Sequence, residues 1–400
     1  MTSIQSASRP IFTGDPFTGQ VLRNRVQFDE DLREAGPIVW LEQYDVWATG
    51  RFDVVDAIFR DHSGFSSASG TGLLNIKKDK NWRKPSVILD TDPPDHTRIR
   101  SIMAKVLSPG AVRRLKSTFV LEADRLVDSL LDRGEFDAAA DLAEKFPFTM
   151  LPNAVGMAQE GREHLLPYSA VNFNAMGPRN SNFDRAVANA EGSAEHVAWQ
   201  VRRDALSDSG LGADIYAAVD AGELTEDEGA LLVRTFLSAG IDTTIYGIGL
   251  ALHALMENPE QWRILRETPA LARHAFEETL RFTPPSPTIA RTTSASVEMN
   301  DVRLGEAEKV VLFIGAANRD PRRFEQPEMF DITRQASGNL AFGAGLHACV
   351  GQLMARMEAE CVLGAVARKI SRLELIGEPV AAENNWLRGF DSLPVRATRA

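Results

Sequence analysis

Cysteine is almost missing from this chain: 400 residues hold two, Cys349 and Cys361. A disulfide framework is thereby excluded, and a reducing compartment fits. Positive charge is also short. Lys and Arg number 44 against 55 Asp and Glu, a net charge of −11, which argues against nucleic acid as the main partner. Residues 1–16 are polar and lack the apolar core of a secretory signal. Residues 236–256 carry no Lys or Arg and are long enough to cross a bilayer, but Asp242, Thr243, Thr244 and His253 interrupt them. A buried central helix is expected there, with no membrane association. Repeats, low-complexity blocks and linkers are absent as well. The expectation is one domain over residues 1–400, monomeric and cytoplasmic, mainly α with small β-sheets.

What is present is a succession of helical patterns. Residues 38–47 read as a hairpin with a turn at Glu42-Gln43, residues 54–59 as a short helix, and residues 63–84 as a long Gly-, Ser- and Lys-rich loop. Helices are expected over 96–107, 109–132, 138–156, 160–176 and 183–207. Thr225 with Glu228 forms a capping-box pattern whose helix continues into residues 231–256. After Pro259 and Pro269 comes a helix at 271–282, then strands at 289–293, 297–299 and 310–314, and an irregular charged connector at 318–334.

That connector leads into Phe342-Gly343-Ala344-Gly345-Leu346-His347-Ala348-Cys349-Val350-Gly351, followed by helical periodicity from 352 to 368. Gly343 and Gly345 permit conformations that a Cβ resists, and Gly351 lets the backbone approach a flat surface. A thiolate at the mouth of a helix is stabilised by the macrodipole and by free N–H groups. Such a thiolate suits an axial position on haem iron.

With this Phe-Gly-x-Gly-x-His-x-Cys-x-Gly spacing the sequence resembles the haem-thiolate monooxygenases, the cytochrome P450 superfamily. The resemblance implies the P450 fold, with haem b held between the proximal cysteine loop and the long central helix. Cys349 would ligate the iron. Phe342, Gly343 and Gly351 would flank the haem on that side, and Ala239 and Gly240 on the other. Glu278 and Arg281 match the family's Glu-x-x-Arg pair, whose role is structural. The family commonly adds a third partner, often Arg, where this chain has Met329; Arg334 or a backbone carbonyl are the alternatives. His96 and Arg100 in the stretch from Asp92 to Arg100, with Arg291 and His347, match the propionate-binding positions.

In the central helix, Ala239-Gly240-Ile241-Asp242-Thr243-Thr244 places a Gly and two Thr where helix propensity disfavours them. A local opening of the helix is expected. By resemblance, Asp242 and Thr243 are the acid–alcohol pair that delivers protons during O2 activation. Arg98, Lys105, Arg113, Arg114, Lys116 and Arg356 form a basic patch on the presumed proximal face. An acidic electron donor fits it, and the family's soluble bacterial members imply a [2Fe–2S] ferredoxin with an NAD(P)H-dependent reductase.

Residues 81–86, 161–168, 232–240 and 317–323 resemble, more narrowly, the bacterial para-methoxybenzoate demethylases. The implied substrate is a small aromatic carboxylic acid. Arg83, Ser86, Arg234 and Thr235 would hold its carboxylate. Phe173, Met176, Ser238 and Ile289 would line the pocket, with Met176 and Ile289 standing where those demethylases carry phenylalanine. The other readings are an oxygenase for a neutral terpenoid or macrolide, and a haem-thiolate protein that does not activate O2. The Asp242-Thr243 pair weighs against the second, and Arg83 with Ser86 against the first.

Overall fold

The computed structural model describes residues 9–79 and 84–400. The architecture is mainly α, as the sequence implies, with one helix at its centre running Glu226–Glu257. Its start is fixed by chemistry: the Thr225 hydroxyl accepts from the Glu228 amide at 3.2 Å, and the Glu228 carboxylate accepts from the Thr225 amide at 2.9 Å. Such a cap contributes about 1 kcal/mol. Beyond the first turns the helix is buried on nearly all sides by Leu232, Leu237, Ile241, Ile248 and Leu252, among others. That burial explains a run apolar enough to span a membrane: 67% of its apolar window lies inside the protein.

Helix Pro109–Arg133, helix Lys145–Val155, helix Ala272–Phe282 and helix Gln352–Lys369 pack around this centre with one shared hydrophobic core. Gly240 permits the closest approach. A Cβ there would stand 2.8 Å from Leu151 Cδ2.

The largest sheet has hydrophobic clusters of its own. A five-stranded sheet runs in the order Val39–Leu41, Val46–Thr49, Lys309–Phe313, Thr288–Thr293, Phe65–Ser66. The expected hairpin is its edge, with Trp40 opposite Trp47. A smaller three-stranded sheet joins Glu135–Asp137, Pro394–Arg399 and Ile370–Leu375.

Several boundaries differ from the sequence expectation. Residues 183–207 form two helices, Ser181–Asn189 and Ser193–Gln200, because Gly192 turns the chain with φ +74°. Residues 160–176 hold a short 3-10 turn, Arg162–His164, after Gly161 at φ +82°, and then a helix only at Leu165–Asn174. Residues 138–156 begin as a wide π-helical segment, Ala138–Glu144, before tightening into Lys145–Val155. The opened turn expected at Gly240-Thr244 does not occur: the central helix is continuous there. The Thr243 and Thr244 hydroxyls each donate at 2.8 Å to a carbonyl one turn back, Ala239 and Gly240. The hydroxyls thus bond back without breaking the ladder. Helices Val26–Ala35 and Leu211–Asp220 had no sequence assignment.

Candidate active site

The cysteine loop is folded by its glycines. Gly343 and Gly345 have φ +67° and +66°, and a Cβ on Gly345 would lie 2.6 Å from the Phe59 carbonyl. This allows the Cys349 amide to donate to the Phe342 carbonyl at 2.8 Å, which turns the cysteine inward. Burial pushes the Cys349 thiol pKa up; the amides of Gly351 and Gln352 and the charges of Arg100 and Arg356 act against that rise. Those two amides open helix Gln352–Lys369. Sulfur, helix mouth and guanidinium groups therefore form a thiolate-stabilising set. Cys361 lies twelve residues on, buried in the core, with its pKa pushed up to about 12 by burial.

Between this loop and the central helix lies a cavity of about 260 Å³. Cys349, Phe342, Gly343 and Gly351 form one wall; Thr235, Ala239, Gly240 and Thr243 form the other. Phe173, Met176 and Ile289 also line it. Ser238, Asp242, Arg234 and Ser86 are not in the wall. Helical spacing explains this: positions 232, 235–236, 239–240 and 243 recur every three to four residues, whereas 234, 238 and 242 are rotated away. The Ser238 hydroxyl turns back to the Thr235 carbonyl, and Arg234 is half-buried with no hydrogen bond or ion pair to the described residues. Arg83 lies outside the described residues. Ser86 is buried one layer back, its hydroxyl 3.4 Å from that of Thr235.

Asp242 faces helix Leu165–Asn174. Ser169, on that helix, donates its hydroxyl to the Ser238 carbonyl at 2.8 Å. Burial raises the Asp242 pKa to about 7, the Ser169 hydroxyl opposes the rise, and the charge of Glu144 adds to it. One carboxyl oxygen of Asp242 has no hydrogen-bond partner among the described residues. A carboxyl that changes protonation near neutrality sits one residue from the cavity-lining Thr243 hydroxyl.

His96, Arg100, Arg291 and His347 converge on the same cavity. The two imidazoles are 4.1 Å apart between centroids. Neither ring nitrogen of His96 has a partner among the described residues, and His347 Nε2 has none either; its approach to Asp92 Oδ1 is 3.8 Å, beyond hydrogen-bond reach. Burial lowers the His96 pKa to about 4 and that of Arg291 to about 10, and burial also lowers Arg100. Cationic groups buried together with one carboxylate nearby are costly unless anions join them. This donor set fits the two propionates of a haem, and the thiol opposite the central helix fits its iron.

The Glu278–Arg281 pair lies beneath the loop, both side chains fully buried, with two parallel 2.8 Å bonds. Arg281 also donates to the carbonyls of Asn318, Pro327 and Met329. Arg334 reaches Glu278 at 3.3 Å. Both open alternatives for the third partner are therefore realised: Arg334 as the cation and the Met329 backbone as acceptor. The lock passes to the loop through Asn318, whose side chain accepts from the Leu340 amide at 2.7 Å.

Sequence reading missed Glu358 and Trp386, both in the cavity wall. Glu358 is 1% exposed, neither oxygen has a partner among the described residues, and burial holds its pKa far above the carboxylate range. Its position nine residues after Cys349, on an inward helix face, was the available signal. In the basic patch, Arg98, Lys105, Lys116 and Arg356 are paired with Glu228, Glu223, Glu360 and Glu277. Arg113 and Arg114 have no ion pair among the described residues.

Comparison with known proteins agrees with this geometry. The cytochrome P450 family profile matches residues 163–372. The chain is 47% identical over 387 residues to cytochrome P450 CYP199A2 of Rhodopseudomonas palustris, covering 96% of this chain and 94% of that protein. The chain belongs to the cytochrome P450 family. It is 35% identical over 315 residues to cytochrome P450 107B1 of Saccharopolyspora erythraea, covering 77% of this chain and 76% of that protein. Among solved structures, cytochrome P450 CREJ in complex with (4-ethylphenyl) dihydrogen phosphate superposes with a TM-score of 0.87 at 27% identity, covering 96% and 99% of the two chains. As a P450 monooxygenase the protein uses haem b held through a cysteine thiolate, and redox partners supply its electrons.

Proposed function

We propose that this P450 oxidises a small aromatic carboxylic acid, with O-demethylation of a para-methoxybenzoate as the reference reaction, and that Cys349 is the iron ligand. The observation that carries the reading is the Thr235 hydroxyl in the cavity wall, with the buried Ser86 hydroxyl 3.4 Å behind it. Thr235 and Thr243 stand about two turns apart on one helix face, roughly 12 Å, which suits a benzoate ring held at its carboxylate end. Arg83, three residues before Ser86, and Arg234 would add positive potential there. Phe173, Met176 and Ile289 would grip the ring; Met and Ile in place of aromatic rings make the grip softer and the pocket roomier.

Haem, held by Cys349 and the set His96, Arg100, Arg291 and His347, would supply O2 activation with two electrons from an NAD(P)H-fed [2Fe–2S] ferredoxin and two protons, giving one oxygen atom to the substrate and the other to water. The chain's own residues handle placement and protons. Thr243, whose hydroxyl donates to the Ala239 carbonyl, lines the cavity, and Asp242, the residue before it, holds the transferable proton. Hydroxylation of the para-methoxy carbon gives a hemiacetal, which collapses to a phenol and formaldehyde. Residues 1–400 act as one cytoplasmic, monomeric domain, and Arg113 and Arg114, without an ion pair among the described residues, meet the acidic donor.

The test is a spectral titration of the haem with para-methoxybenzoate and its methyl ester, followed by product analysis. The acid should bind at least about tenfold more tightly, since each charge-assisted hydrogen bond contributes about 1.5–3 kcal/mol. Thr235→Val should weaken acid binding and leave the ester nearly unchanged. Tighter binding of the ester would move the substrate to the neutral class.

A further inference from the structure

Two chain segments that contribute to the cavity wall meet each other through asparagine side chains. One is residues 175–180, between helices Leu165–Asn174 and Ser181–Asn189. It carries Met176, and Phe173 lies just before it, both in the wall. The other is residues 384–388, which carries Trp386 of the same wall. At the junction Asn385 is 0% exposed. The Asn385 amide donates to Asn174 Oδ1 at 3.0 Å, and its Nδ2 donates to Asn180 Oδ1 at 2.9 Å and to the Pro178 carbonyl at 3.2 Å. Its Oδ1 accepts from Asn180 Nδ2 at 2.9 Å and from Asn182 Nδ2 at 3.3 Å. Gly177 makes the close approach possible: a Cβ there would stand 2.6 Å from Asn385 Cβ.

The two sides of this junction are held unequally. Residues 384–388 are anchored from behind. Asn384 Oδ1 accepts from the Trp386 and Leu387 amides at 2.9 Å each, the Arg388 amide donates to the Pro285 carbonyl at 2.8 Å, and the Trp386 ring stacks on Phe17 at 6.3 Å. Helix Ser181–Asn189 has less behind it. Ala186 is its one buried residue, and its apolar side chains join a small cluster with Val171, separate from the main core. Residues 175–180 are also tied by the Leu73 amide, which donates to the Met176 carbonyl at 2.8 Å. A segment with little buried apolar surface and a polar attachment is drawn from the part of a fold that opens locally. Opening here strands no polar group, because water can replace each bond that Asn385 makes.

We propose that Asn385 is a positioning residue for ligand exchange. Its side chain clasps residues 175–182 against the fixed 384–388 segment, and release of the clasp parts Met176 from Trp386 and opens the cavity. Asn385 is not itself in the wall, so it acts through those two neighbours. The clasp sets how fast a ligand enters and leaves more than how tightly it is held, and it acts on any ligand that fills the cavity.

4-Phenylimidazole is the probe: it carries no carboxylate, and its arrival at haem iron shifts the Soret band. In stopped-flow mixing with the holoprotein, Asn385→Ala should raise association and release rates together by about tenfold, equivalent to roughly 1.4 kcal/mol, with Kd changed by less than about threefold. Asn180→Ser keeps an N-cap oxygen for helix Ser181–Asn189 while shortening the side chain that pairs with Asn385, and it should act the same way. Glu383→Gln breaks only the exposed Arg185–Glu383 ion pair and should alter neither rate beyond about twofold. In the wild-type holoprotein, amide hydrogen exchange over residues 175–189 should be faster than over residues 232–252 of the central helix. Exchange as slow in both would overturn the proposal, whether or not the variants fold. So would unchanged rates in Asn385→Ala, or faster release with association unaltered, which would make Asn385 a support of the wall alone. None of these outcomes touches the aromatic-acid reading, which is tested by the acid–ester titration.

Discussion

Arg281 and Met329 are joined through the backbone alone: Arg281 Nη2 donates to the Met329 carbonyl at 3.0 Å, while the Met329 side chain is 54% exposed. The residue that departs from the common family pattern still serves the lock, and Arg334 supplies the cation beside Glu278.

Met329→Ala should therefore retain haem and shift the thermal midpoint negligibly. Arg334→Met should lower stability by about 1.5–3 kcal/mol, the worth of a charged hydrogen bond, and Glu278→Ala by about 3–5 kcal/mol, because Arg281 would be left buried without its carboxylate. Thermal unfolding and haem content measure all three. A larger loss for Met329→Ala than for Arg334→Met would contradict the assignment.

The two cysteines should separate cleanly. Reduced wild type with carbon monoxide should show the red-shifted Soret band of thiolate ligation, and Cys349→Ser should lose it. Cys361→Ser should keep the band, since its thiol sits in the core away from the cavity wall.

Asp242 sets a pH dependence. Its carboxyl carries a proton below about 7 and loses it above. Turnover limited by this proton should fall as pH rises through that value, with an inflection missing in Asp242→Asn. That variant should turn over slower by roughly 10² with substrate affinity little changed. Stability carries the same sign. The unfolded carboxyl titrates near 3.8, so the group's contribution is intact below that pH and is lost as pH climbs to about 7. A pH profile shared by wild type and Asp242→Asn would assign the proton elsewhere.

Thr243→Ala should bind substrate normally and still consume NADH, because no substrate-holding group is removed. The reducing equivalents should appear as hydrogen peroxide in place of product. Measured product per NADH is the readout, and an unchanged yield would remove Thr243 from proton handling.

Much of this protein is legible in the sequence because the relevant signals are local. The glycines of the cysteine loop, the capping box at Thr225 and the Glu278–Arg281 spacing each fix their conformation within a turn or two. Residues 183–207 misled because a helical pattern continued across Gly192, whose left-handed backbone breaks the helix without breaking the periodicity. The direction of each side chain was decided only by packing. Asp242 turns to Ser169 and away from the cavity because a helix presents to one neighbour only residues spaced three to four apart. The burial of Glu358 and the partners of Met329 depend on residues far apart in the chain. Desolvation and ion pairing arise only when the fold brings such groups together, so these features belong to the tertiary structure.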